Sequence, residues 1–220
     1  MTDKRAPLAP VLVFVALFFL AWTLRATLLY RIDTSIDSEA LRHVYSNAIK
    51  FALWVVPVFI YLRRVGVREP LCYLKLTTKP DRKGLPVAAV AVVIYFAVVV
   101  LVALFAQGRR VSLAVSGVAL ASTAVSSFSE EILFRGFLLN QLRERLRFWT
   151  ANVIAALLFA TVHLPNWLWT RGFQAGLLFD LFGVFALALF LGYLLRATNT
   201  LWSCVFAHVL NNFIAGLLRP

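Results

Sequence analysis

The chain has 220 residues, 61% of them hydrophobic and 15% charged, with a mean hydropathy of +0.83 and a formal net charge of +12. Soluble domains run at about 45–50% apolar and about 25% charged, so this composition excludes a soluble globule, and it is too hydrophobic for a disordered chain. Two cysteines exclude a disulfide scaffold, and 10 Gly with 8 Pro exclude a collagen-like or low-complexity chain. An all-α polytopic membrane protein remains, with length for about seven crossings at roughly 25–30 residues per span and loop. The first apolar run, Leu8–Leu24, follows Asp3, Lys4 and Arg5. It lacks a small-x-small cleavage site and ends in Trp22, Arg25 and Tyr30, so it reads as a retained span. The next spans fall at about Val44–Leu62, which carries Lys50, and at Leu85–Ala106, which carries no charge. A fourth begins near Val111 and runs past Phe128 into Glu130-Glu131. The last three fall at about Ala151–Trp169, Ala175–Leu195 and Leu201–Leu218. Residues 1–220 thus form a single membrane domain, with three N-terminal spans in 1–110 and the motif-bearing core spans in 111–218.

Charge in the loops sets the expected orientation, because Lys- and Arg-rich loops stay in the cytoplasm. With the N-terminus inside, 13 Lys and Arg fall in cytoplasmic segments: Lys4, Arg5 and those at 63–83, 143–147 and 196. Six fall outside: Arg31, Arg42, Arg109, Arg110, Arg171 and Arg219. No glycine-rich phosphate loop and no basic helical stripe interleaved with aromatics is present. The positive charge therefore points to topology and anionic lipid headgroups rather than nucleic acid. The mixed stretch Arg143–Trp149 reads either as a short interfacial amphipathic helix or as a plain positive-inside anchor.

Ionisable groups at membrane depth are costly and are functional candidates by default. They cluster in three places. In Glu130-Glu131-Ile-Leu-Phe-Arg135 the two carboxylates diverge by about 100° on a helix, while Glu131 and Arg135 share a face and can pair. A structural alternative is a capping box from Ser127 to Glu130. In Phe159-Ala-Thr-Val-His163 the ring lies one turn before the imidazole and can hold it by packing, with Pro165 disturbing the helix just beyond. A lone structural histidine would look the same. In His208-Val-Leu-Asn211-Asn212, His208 and Asn212 share a face, as catalytic donors or as helix–helix glue. At about 1.5 Å per residue, Glu130, His163 and His208 stand near ~15, ~20 and ~12 Å from the cytoplasmic edge. Capping does not account for that agreement across three helices. A Glu and a neutral His can deprotonate a water, and a His with an Asn can stabilise an oxyanion; together they suit amide hydrolysis.

In this order, on successive membrane segments, the three motifs resemble the CPBP family, the CAAX-protease and bacteriocin-processing (Abi) enzymes that include the Ras-converting CAAX endopeptidase. The resemblance covers about Ser112 to Leu218. It implies an all-helical intramembrane endopeptidase in the cell (inner) membrane, with a cavity open to the cytoplasmic side and a membrane-tethered or hydrophobic peptide as substrate. By the family's pattern Glu130 and His163 activate water, His208 and Asn212 stabilise the oxyanion, and Glu131 and Arg135 hold the site in shape, with Phe159 in support. The cofactor stays open. Either no metal is required, or one divalent metal such as zinc sits on Glu130, His163 and His208, an acceptable ligand set without a His-Glu-x-x-His motif. Two other readings compete: an immunity or scaffold protein on the same fold, and a proton-coupled transporter, against which the lack of inverted repeats counts. Cys72 and Cys204 read as structural, His43 as a solvated loop residue, and Trp167 and Trp169 as interfacial belt residues or an entrance lining.

Overall fold

The structure, a computed structural model, describes residues 8–112 and 116–219; Asp3, Lys4 and Arg5 lie outside that range. Seven helical rods follow in order among the described residues. Helix α1 (Leu8–Thr27) has no charge before Arg25 and is about 30 Å long. Helix α2 (Glu39–Arg64) is interrupted at Val55, because Pro57 cannot donate to the ladder of the preceding turn. Helix α3 (Gly84–Ala106) is the expected charge-free span. Helix α4 (117–143) starts on a cap in which Ser116 Oγ accepts from Ala119 N at 3.4 Å. It widens into π geometry from Ile132 to Leu139, directly after Glu130-Glu131, and closes with Asn140–Arg143. Helix α5 (Phe148–Arg171) breaks at Val162–His163, where Pro165 opens its second part. Helix α6 (Leu177–Thr198) ends on Asn199 in the left-handed conformation (φ 55°), whose N–H caps Leu195 O. Helix α7 (Leu201–Leu217) completes the set.

The chain is thus a helical polytopic integral membrane protein. Among the described residues α1, α2, α3, α5 and α6 are long and apolar enough to cross a membrane. Helix α4 carries Glu130, Glu131 and Arg135, and α7 has only 17 residues. Apolar side chains cover much of the outside, as lipid demands; Val93 on α3 is 69% exposed.

Two details depart from the sequence expectation. Ser127 lies inside α4 and caps nothing, because the helix starts at Gly117. Arg143–Trp149 is not a separate interfacial helix: it is the tight turn from α4 into α5. There Arg143 and Arg196 sit over the Phe148 ring, 5.7 and 4.7 Å from its centroid.

Helix α4 is the central rod, with every residue from Ser129 to Leu139 buried. Around it, Phe14 and Phe18 of α1, Trp54 and Tyr61 of α2 and Phe134 and Phe137 of α4 interlock edge to face, with ring centroids between 4.9 and 6.3 Å apart. Helices α5 and α6 close up at Gly192, where a Cβ would collide with the Asn152 carboxamide; Asn152 instead donates to Leu189 O at 3.0 Å.

The loops gather at two ends. At one, Leu201 N donates to Lys75 O (2.9 Å), Thr78 Oγ1 to Asn199 O (2.7 Å) and Asp81 N to Thr198 O (2.8 Å). Tyr73 OH donates to Glu144 there at 3.0 Å. This end carries Arg63, Arg64, Arg68, Lys75, Lys79, Arg82, Lys83, Arg143, Arg145, Arg147 and Arg196 against three acids, Glu69, Asp81 and Glu144. At the other end, where α1 and α5 finish and α2 and α4 begin, Arg25 pairs with Asp33 at 2.5 Å and Arg171 with Asp180 at 3.2 Å. His43 sits there 3.8 Å from Glu39.

Candidate active site

Adjacent helix positions send the two glutamates of α4 in different directions, as the 100° step requires. Glu131 turns inward and is fully buried, with Arg135 Nη1 donating to its Oε1 at 2.9 Å. His208 of α7 reaches the same oxygen, Nδ1 to Oε1 at 2.7 Å. A carboxylate only accepts, so Nδ1 carries the proton and His208 presents Nε2 to the other glutamate, 3.7 Å from Glu130 Oε2. Arg135 is packed by its guanidinium over the Phe159 ring at 4.2 Å.

Glu130 faces a cavity of about 200 Å³, lined also by Trp22, Lys50, Trp54, Val162, His163, Asn166 and Trp167. Its Oε1 takes the Lys50 ammonium of α2 directly, and Ser126 Oγ donates to it at 3.3 Å. Lys50 also donates to Ser126 Oγ at 2.5 Å and lies 4.6 Å over the Trp54 ring, so it is held by charge, hydrogen bonds and a ring face together.

The break in α5 places His163. Its Nδ1 lies 2.9 Å from Phe159 O, so that nitrogen donates to the carbonyl and Nε2 is left as the basic atom. The ring stands between Phe159 and Trp167, each 5.2 Å away by centroid. The packing expected of Phe159 is therefore present, and Phe159 also contacts His208 at 5.8 Å. Trp22 Nε1 donates to Val162 O at 3.1 Å, tying α1 to the break.

Asn212 lies one turn beyond His208 and donates to Ser127 Oγ at 3.1 Å. It faces α4, as its shared face with His208 requires, but it does not line the cavity. Asn211 donates to Asn212 Oδ1 at 3.4 Å. The carboxamide that does line the cavity is Asn166. Sequence reasoning missed the place of Asn166 at the cavity and the partner of Lys50, which is 80 residues away; the polar residue next to the Pro165 break was the available signal for Asn166. Cys204 is buried against Leu191 O, and Cys72 is exposed at the basic end. Among the described residues no three His, Cys, Asp or Glu side chains stand together at metal-ligand spacing.

A second opening, wider and apolar, of about 410 Å³, lies beside the first between α1 and α5. Thr23, Thr27, Leu164, Pro165, Leu168 and Trp169 line it.

No curated protein and no solved structure matches the chain significantly. Residues 112–214 match the family model described as type II CAAX prenyl endopeptidase Rce1-like. The match spans α4 to α7 and so includes Glu130, His163, His208 and Asn212, but not Trp22, Lys50 or Trp54. Over that segment, a little under half of the chain, the protein is similar to the Rce1-like type II CAAX prenyl endopeptidases.

Proposed function

We propose that this protein is an intramembrane endopeptidase of the cell membrane that cleaves a peptide bond in a membrane-tethered or hydrophobic peptide, using a water activated by Glu130 and His163. The observation that carries this reading is the shared cavity: a carboxylate and an imidazole with a free Nε2 line one hollow inside an otherwise apolar helix bundle. A water between them loses its proton to this pair as it attacks the scissile carbonyl, and the proton passes on to the leaving amine. By the pattern of the resembled family, the oxyanion is met by His208 and by a carboxamide. Asn166 is the carboxamide in the cavity; Asn212 donates to Ser127 and lies outside its lining. Glu131 and Arg135 are positioning residues for His208.

The reaction proceeds in this reading without a metal, because the Lys50 ammonium already occupies the Glu130 carboxylate and like charge opposes a second cation there. The apolar cleft next to His163 suits an apolar anchor on the substrate, and the basic end suits anionic headgroups. Peptide profiles of cells carrying the wild-type protein, Glu130→Ala or His163→Ala test the reading. One membrane-associated peptide is expected to accumulate uncleaved in both variants; normal processing of every peptide in both overturns it. Activity lost on strong chelation and restored by zinc overturns the metal-free step alone.

A further inference from the structure

The cavity is off-centre along the bundle. Trp22 stands five residues before the end of α1, and Asn166 and Trp167 stand five and four before the end of α5. Lys50 is eleven residues into α2. All of these helix termini lie at the end away from the basic loops. Towards that end the rim residues Trp22, Lys50, His163, Asn166 and Trp167 are half-buried, and the apolar cleft opens beside them. In the other direction the cavity stops at Trp54, which is 1% exposed. Beneath Trp54 the rings of Phe18 and Phe134, then Phe137, Phe14 and Tyr61, fill the bundle towards the basic end. The Glu130 carboxylate is therefore walled off from the basic face and approached from the opposite one.

The charge is equally one-sided. The basic end has eleven Lys and Arg against three acids. The rim end has Arg25, Arg31, Arg42, Arg109, Arg110, Arg171 and Arg219 against Asp33, Asp37, Glu39 and Asp180. Loops with the larger Lys and Arg excess remain in the cytoplasm.

We infer that the cavity mouth faces away from the cytoplasm, so that the substrate is a peptide segment presented at the extracytoplasmic surface of the membrane, and not a cytoplasmic tail. The access side is a property of the fold and the charge; that the entering group is a peptide rests on the protease reading above. This side is the opposite of the one that the family resemblance implied.

Thiol labelling with a charged, membrane-impermeant maleimide on sealed right-side-out vesicles separates the two sides. Cys72, exposed at the basic end, is the internal reporter; Thr170→Cys (exposed on α5) and Asn166→Cys, each with Cys72→Ser, report the rim and the cavity. The expected result is labelling of both introduced cysteines in sealed vesicles and loss of Cys72 labelling until the vesicles are opened. Labelling of Cys72 but not Thr170→Cys in sealed vesicles overturns the orientation. Labelling of Thr170→Cys with Asn166→Cys modified only after opening, or not at all, overturns the access route. Because labelling needs no turnover, a Glu130→Ala background labels identically. A protein that labels as expected yet processes no peptide refutes the protease reading and leaves the access side standing.

Discussion

His208 Nδ1 lies 2.7 Å from Glu131 Oε1, deep between α4 and α7, on an oxygen that Arg135 also holds at 2.9 Å. One carboxylate thus fixes both the orientation of an imidazole and the position of a guanidinium. Removing one member of such a buried ionic group leaves an uncompensated charge and costs roughly 3–5 kcal/mol. Glu131→Ala is expected to lower the thermal midpoint and the yield of folded protein. Glu131→Gln keeps the volume and one acceptor, and is expected to fold yet to lose kcat because His208 is no longer held in one tautomer. A Glu131→Gln protein with unchanged kcat would show that His208 needs no such support.

The pairing of Glu131 with Arg135 was legible in the sequence because helix periodicity alone brings positions four apart together. So was the packing of Phe159 on His163, and the break at Pro165. Contacts between helices were not, since nothing in a single sequence fixes how one rod is rotated against another. Lys50 was visible as a charge in an apolar span, yet its partner Glu130 sits 80 positions away. Ser127-Phe-Ser-Glu130 has the spacing of a capping box, but Ser116 begins the helix earlier, and the Ser127 hydroxyl serves Asn212 instead. The shared face of His208 and Asn212 was also read correctly, but the two find different partners on α4, Glu131 and Ser127.

The two carboxamides make separable predictions. Losing one oxyanion donor lowers kcat by about 10²–10³ in other amide hydrolases. Asn166→Ala is expected to show a loss of that order with little change in KM, since Asn166 lines the cavity. Asn212→Ala removes a bond between α7 and α4 and is expected to lower the thermal midpoint along with activity. Kinetics and melting of the two purified variants check this; the reverse pattern would move the oxyanion site to Asn212.

At the basic end, Tyr73 OH donates to Glu144 at 3.0 Å and accepts from Gln141 Nε2 at 2.5 Å, linking the α2–α3 loop to α4. Burial, then the neighbouring Glu144 charge, pushes the phenol above its ordinary value. A group whose proton is held more tightly folded than unfolded adds stability that is complete below the unfolded value of about 10 and lost as pH rises through the folded one. The melting temperature is therefore expected to fall in strong alkali, and Tyr73→Phe, lower at neutral pH, should show a smaller alkaline decline. Parallel alkaline slopes for the two proteins would remove Tyr73 from the account.

Lys50 offers the sharpest test of how the two halves of the chain cooperate, since it comes from outside the family-matched segment yet bonds Glu130 directly. Hydrogen bonds to charged groups contribute about 1.5–3 kcal/mol, which is about ten- to a hundredfold in rate at 1.36 kcal/mol per decade. Lys50→Met is expected to lose activity by that factor, and Lys50→Arg, which keeps the charge, to recover part of it. A purely structural lysine would give the same loss whatever residue stands at 130, so the decisive comparison is made in a Glu130→Gln background with measurable residual activity. If Lys50 acts through the carboxylate, Lys50→Met costs little further activity there. An undiminished loss in the double variant would make Lys50 a packing residue, with Trp22 and Trp54 rather than Glu130 as its reason for being in the membrane.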